Sequence, residues 1–205
     1  MSYDKNFAEW IDNPLSYWDK KSKNITWIRP YKKTLHKTAD HFEWFHQGQL
    51  NTCYNCLDRH IENRRGDRVA IFYDSPITNT KTKITYSELL SKVSSLAAAL
   101  NNLGVVKGDR VVLYMPMIPE VIVSMLACAR IGAIHSVVFG GFAAEELASR
   151  ISDVTPKVII SASCGLEPKK IINYKKILNE ALTLSSHKPS KQIIYQRQQH
   201  ICKLN

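Results

Sequence analysis

No apolar run in the sequence approaches the ~20 residues that a membrane-spanning helix needs. The longest candidate, Val121 to Ala129, stops at Arg130. Internal repeats, heptad or collagen periods and low-complexity tracts are missing, which excludes fibrous and solenoid classes. The opening Met1-Ser-Tyr-Asp-Lys-Asn-Phe7 has no apolar centre, so it does not read as a secretory signal. Nor is it the Arg-rich, acid-poor helix of a mitochondrial leader. GxGxxG, a Walker loop, a GxSxG elbow and HExxH are all absent. The fingerprints of dinucleotide binding, P-loop, α/β-hydrolase and zincin chemistry are therefore not found. Cysteines number five, an odd count that fits a reducing compartment better than a disulfide framework. Cys53 and Cys56 form one CxxC with His60 four residues on, but no second pair completes the four ligands of a zinc site. That motif reads as a helix start with two half-buried thiols.

Acidic residues are scarce in one place only. The chain holds 28 basic and 18 acidic residues, a net +10. Residues 1–156 carry 19 basic against 16 acidic, a net +3; residues 157–205 carry 9 against 2, a net +7. A nucleic-acid binder would pair such charge with an aromatic–basic platform, and the C-terminal stretch has none. The excess is a local property of the last quarter.

What is present suits a globular α/β protein. At 44% hydrophobic and 22% charged, the 205 residues can build a sizeable core. The first 50 residues are aromatic and irregular, with Trp10, Tyr17, Trp18, Trp27, Tyr31, Phe42, Trp44 and Phe45; they read as a segment that wraps a larger body. Residues 55–63 read as a helix, Val69 to Tyr73 as a buried strand and 81–86 as an exposed one. Thr85-Tyr-Ser-Glu88 matches a capping box, and the apolar positions from Leu89 to Leu103 follow at helical spacing to a stop at Gly104. Further strands are expected at Val111–Tyr114, Ala133–Val138, Lys157–Ile160 and Gln192–Tyr195. The helices between them are expected from Pro119 to about Ile131, Ala143–Val154 and Ile171–Leu184. The helix from Pro119 is apolar almost all round and so deeply buried. Alternation from residue 69 onward predicts an α/β fold: a parallel sheet with helices on both faces.

Ligands of such sheets bind beyond the carboxyl ends of the strands, and two loops there are unusual. Phe139-Gly140-Gly141-Phe142 is either a tight structural turn or a place where a ligand approaches the backbone. Cys164 to Lys170 ends in Lys169-Lys170 at an expected helix start, either solvated lysines or an anion site. His135, on an apolar strand, reads as a hydrogen-bonded core histidine rather than a base.

Four segments together resemble the short-chain acyl-CoA synthetases, the acetyl- and propionyl-CoA synthetase branch of the adenylate-forming enzymes. They are Asn51–His60, Gly108–Met117, Ala127–Phe142 and Pro156–Ile160. Gly165-Leu-Glu-Pro168 and Tyr73-Asp-Ser-Pro-Ile-Thr-Asn79 are similar to the propionate-preferring subgroup; acetate enzymes typically carry arginine where Glu167 stands. The resemblance divides the chain into an N-terminal helical and irregular segment (1–65), the first α/β part of the synthetase domain (66–197) and a divergent tail (198–205). It implies a two-step ligation. A carboxylate attacks ATP, with magnesium, to give an acyl-adenylate, and the CoA thiol then expels AMP. It also implies that Phe139, Gly140 and Gly141 lie along the CoA nucleotide and that Lys170 grips a CoA phosphate. Glu167 takes the place of a second basic residue, and a carboxylate there repels phosphate. Lys169, in place of a usual glycine, is the candidate to restore that charge. The family's Ser/Thr-Gly-rich ATP loop has no counterpart in the 205 residues. No catalytic residue is therefore expected in the chain, and the chain alone is expected to be inactive. The alternative is a non-catalytic module that binds CoA or a partner. The small-molecule partners implied are a short-chain carboxylate and CoA, without nucleic acid or membrane insertion. The implied compartment is the mitochondrial matrix, with the cytosol as the alternative.

Overall fold

The computed structural model describes residues 2–204. The chain divides after Asn55 into two compact units.

The first unit is more regular than its composition implies. Helix α1 (Tyr3–Asp12) and helix α2 (Pro14–Ser22) meet at Asn13, whose side-chain oxygen accepts from the Ser16 N–H at 3.0 Å and caps α2. Strands β1 (Lys33–Lys37) and β2 (Phe42–His46) form an antiparallel hairpin with Leu35 opposite Trp44. Trp27, Tyr31 and Phe45 form a ring-to-ring triangle, with centroids 5.1 to 5.5 Å apart. The Asn55 carboxamide pins Thr26 from both sides, accepting from its N–H and donating to its C=O, each at 2.9 Å. The expected irregular wrap is thus a helix pair and a hairpin with an aromatic cluster of their own.

The helix expected over 55–63 is two short ones, α3 (Thr52–Cys56) and α4 (Asp58–Glu62). Leu57 breaks them, leaving helical backbone angles while its side chain is fully buried. Cys53 is sealed and Cys56 exposed, so the thiols are not half-buried alike.

Among the described residues, strands β3 (Val69–Ser75) and β4 (Thr80–Thr85) pair only with each other, antiparallel. This corrects the buried strand at Val69–Tyr73 and the start of the parallel sheet at residue 69. A chain that turns back within four residues has no room for the crossover that a parallel pair demands. Phe72 accordingly faces outward, with the Lys83 ammonium over its ring at 5.7 Å. The capping box forms as expected at the start of α5 (Tyr86–Asn102). The Thr85 N–H donates to Glu88 Oε2 at 2.7 Å, and the Glu88 N–H to Thr85 Oγ1 at 3.2 Å.

The parallel sheet holds four strands: β5 (Arg110–Met115), β6 (Ile134–Phe139), β7 (Val158–Ala162) and β10 (Lys191–Tyr195). Their order is β10-β7-β5-β6. Helix α6 (Pro119–Ile131) joins β5 to β6, and none of its residues is fully exposed. Helix α7 (Ala144–Val154) leads from β6 back past β5 to β7. Between β7 and β10 lie a second hairpin, β8 (Cys164–Glu167) with β9 (Lys170–Asn173), and helix α8 (Tyr174–Leu184). Val112, Tyr114 and Ile159 face Leu147, Ile151 and Leu178 of α7 and α8 in one core. The alternate residues of β5 face α6, where Ser124 lies beside Met115. Reversing direction after β6 moves the covering helices to the other face, as a fixed crossover hand requires.

Side chains secure the amino ends of these strands. The Asp109 carboxylate accepts from the Val106 N–H at 2.9 Å and from Lys157 Nζ at 2.9 Å. The Arg110 guanidinium donates to the C=O of Val154 and to Thr155, where α7 ends in a left-handed residue. Arg130 holds the Asp58 carboxylate with two bonds, at 2.8 and 2.9 Å.

Candidate functional site

The helix expected from Ile171 begins at Tyr174 instead, and Asn173 caps it by accepting from the Lys176 N–H at 2.9 Å. Lys170 is therefore not at a helix start. It opens β9, directly across the hairpin from Glu167, with Pro168 and Lys169 at the tip. Gly165, Ile171 and Ile172 extend the ladder in place of the expected loop. The β-branched pair Ile171-Ile172 favours a strand, and the Asn cap resets the helix three residues later.

Tyr174 is the residue that joins the two unusual loops. It is buried at the head of α8 and stacks on Tyr114 of β5, with centroids 4.7 Å apart and planes inclined 27°. A side chain on Gly140 would overlap the Tyr174 hydroxyl, and one on Gly165 would overlap its ring. Both glycines therefore serve the close approach of one phenol. The Tyr114 hydroxyl donates to the Phe142 C=O at 3.0 Å, with the Gly140 C=O at 3.5 Å, and so fixes the turn after β6. Burial pushes both tyrosine hydroxyls above their ordinary pKa, which keeps them neutral donors.

The outer surface of this assembly is open. Phe139 is 69% exposed and meets Phe142 edge-on at 5.8 Å. Gly141 is exposed beside the Phe139 ring, which occupies the space a β-carbon there would need. Lys169 and Lys170 are exposed, as is Glu167. The turn follows β6 and the hairpin follows β7, both at carboxyl ends of the parallel sheet. An apolar ring, accessible backbone and exposed ammonium groups at that end can hold a flat heterocycle with phosphates.

His135 lies half-buried on β6, and desolvation lowers its pKa below the ordinary imidazole value. No hydrogen bond to its ring is found among the described residues, so the expected core hydrogen bond is not made. Tyr174 and Tyr114 were missed by motif reading. Their signal was a tyrosine inside the aliphatic run Val111–Met115 and a second one just after Asn173.

The AMP-binding enzyme profile matches residues 57–201, and the acetyl-coenzyme A synthetase N-terminus profile matches residues 3–56. The chain belongs to the AMP-binding enzyme family. It is 52% identical over 196 residues to the human protein named acyl-CoA synthetase short-chain family member 3, mitochondrial. That match takes in 95% of this chain and 29% of the human one. It is 46% identical over 186 residues to acetyl-coenzyme A synthetase of Shewanella frigidimarina, covering 88% of this chain and 28% of that protein. Among solved structures, acetoacetyl-CoA synthetase from Streptomyces lividans superposes with a TM-score of 0.78 at 26% identity. That superposition covers 91% of this chain and 31% of the solved one. The chain thus spans about three-tenths of the length of these relatives.

Proposed function

We propose that this chain supplies the CoA-nucleotide face of a short-chain acyl-CoA synthetase. In that reading the whole protein joins a short-chain carboxylate to CoA, with ATP cleaved to AMP and diphosphate. The observation that carries it is the locking of the Phe139–Phe142 turn to the 164–173 hairpin through Tyr174. Phe139 offers a face for the adenine ring. Gly140 and Gly141 leave backbone accessible beside it, and Lys170 meets a phosphate. Glu167 across the ladder weakens the positive potential, and Lys169 at the tip offsets it. These roles bind and orient the thiol donor. Magnesium would arrive with ATP, and the 205 residues contain no Ser/Thr-Gly-rich loop to cradle its phosphates, so no ATP step is assigned to them. The Gly165-Leu-Glu-Pro168 segment supports propionate over acetate. The names of the 52% identical relatives support a mitochondrial compartment.

The test is calorimetric titration of the purified chain with CoA, alongside propionate-dependent ATP–diphosphate exchange. Weak CoA binding is expected, reduced by Lys170→Gln and by Phe139→Ala, with no exchange above background. Exchange by the chain alone would refute its assigned inactivity. An absence of both heat and thermal shift with CoA would refute the nucleotide face.

A further inference from the structure

Arg197 is 9% exposed, and no carboxylate lies within ion-pairing distance of it among the described residues. Its guanidinium makes one hydrogen bond, from Nη1 to the Cys164 C=O at 3.1 Å. Its backbone is fixed independently, with the N–H donating to Ser163 Oγ at 2.8 Å and the C=O accepting from the His200 N–H at 3.1 Å. A guanidinium carries five donors in a rigid fork and cannot shed its charge. Burying that charge without a counter-ion is costly unless an anion completes the site.

Arg197 also lines a cavity of about 270 Å³ beyond the carboxyl ends of β5 and β10. Tyr73 of β3, Thr78 of the following turn and Thr80 of β4 lie on its walls, with Ile118 and Tyr195. The volume is several times the ~30 Å³ share of one liquid water. Among its hydroxyls, Thr80 donates to the Thr78 C=O at 3.2 Å, and burial, with the carboxylate of nearby Glu120, holds the Tyr195 hydroxyl above its ordinary pKa. The Thr78 hydroxyl has no bond of its own among the described residues. The Gln196 carboxamide is spent on the Cys202 backbone. The polar residues left on the wall are Arg197, Thr78, Tyr73, Gln198 and Gln199, beside a small apolar wall from Ile118. Glu120 stands next door and disfavours a ligand with more than one negative charge.

We propose that this cavity is an auxiliary anion site for one singly charged carboxylate group, held by Arg197 and Thr78. A planar carboxylate matches the fork geometry and adds no second charge against Glu120. The cavity wall includes neither the Phe139 turn nor Lys170, and Arg197 meets the 164–173 hairpin through its bond to the Cys164 C=O.

Acetate is the probe, titrated into the full 205-residue chain while the Arg197 Nε–Hε signal is followed by NMR, with the backbone N–H signals of residues 78 and 197 as the readout common to the native chain and its variants. Saturable binding is expected with a dissociation constant on the order of 1 mM, the scale set by so few ligand atoms. Inorganic phosphate is expected to bind at least about tenfold more weakly, because its second charge meets Glu120. Arg197→Lys keeps the charge and loses the fork, and is expected to weaken acetate roughly tenfold. Thr78→Val leaves every backbone bond in place and is expected to weaken acetate roughly threefold. It decides the matter if Arg197→Lys does not fold. A non-saturable response, tighter phosphate binding, or unchanged affinity in folded Thr78→Val overturns the site. Thr78→Val separates this site from CoA binding at Lys170, because Thr78 makes no hydrogen bond to the hairpin among the described residues, whereas Arg197→Lys also removes the bond to Cys164.

Discussion

In the first 55 residues, Trp27, Tyr31 and Phe45 touch ring to ring, yet among the described residues the buried ones there are Ser22, Cys53 and Asn55. In the four-stranded sheet, Val111 to Met115 and Val158 to Ala162 are sealed without a break. The aromatic unit gains stability from large faces in contact that stay partly exposed. The sheet gains it by excluding water from small aliphatic groups on both sides. The two regions should therefore answer differently to loss of side-chain volume, to packing strain and to acid.

Leu178→Ala tests the sealed side, because Leu178 is fully buried among Leu147, Ile151 and Ile159. A loss of about 2–5 kcal/mol is expected from urea unfolding. Gly140→Ala should cost about 1–3 kcal/mol by driving a methyl group against the Tyr174 hydroxyl. A Gly140→Ala/Tyr174→Phe pair should recover part of that loss, and a purely additive pair would show that the contact is not the cause. Trp27→Ala, on the open side, should cost about 1–2 kcal/mol, below the usual range for buried tryptophan because its ring stays partly exposed. A Trp27→Ala loss equal to that of Leu178→Ala would erase the contrast.

Acid gives a smaller and signed effect. The Thr85 N–H holds the Glu88 carboxyl below its ordinary pKa, and the Val106 N–H followed by Lys157 does the same for Asp109. Both folded values lie below the unfolded ones. Their stabilisation is present above the unfolded carboxylate pKa and is lost as pH falls through the folded values. Glu88→Gln should therefore flatten the acid limb of a plot of melting temperature against pH, and an unchanged limb would exclude the cap as its source. The smallest test leaves stability alone. Exposed Cys56 should react with an alkylating reagent in the native chain, while Cys128 should not, its thiol being buried and pushed up to about 12.

The strands at Val111, Ala133, Lys157 and Gln192 were legible because each is a short apolar run bounded by helical signals. The capping box at Thr85 and Glu88 was legible because its chemistry is local. The Ile171 boundary was not, since Ile171-Ile172 fits either a buried helix or a strand and only the Asn173 cap decides. The hairpin at Val69 was not, because an apolar run does not state its partner. Of the candidate site, the sequence marked the glycines and the lysine. The phenol that explains Gly140 and Gly165 stood 34 and 9 positions from them, beyond any local pattern.

That phenol also restricts how the sequence can drift. Positions 140, 165 and 174 share one pocket of space, so enlarging either glycine is viable only after residue 174 has shrunk. Shrinking residue 174 first takes the stacking partner from Tyr114, the residue that fixes the turn. Each single step runs downhill before a second one repairs it, so the three positions should be inherited as a block.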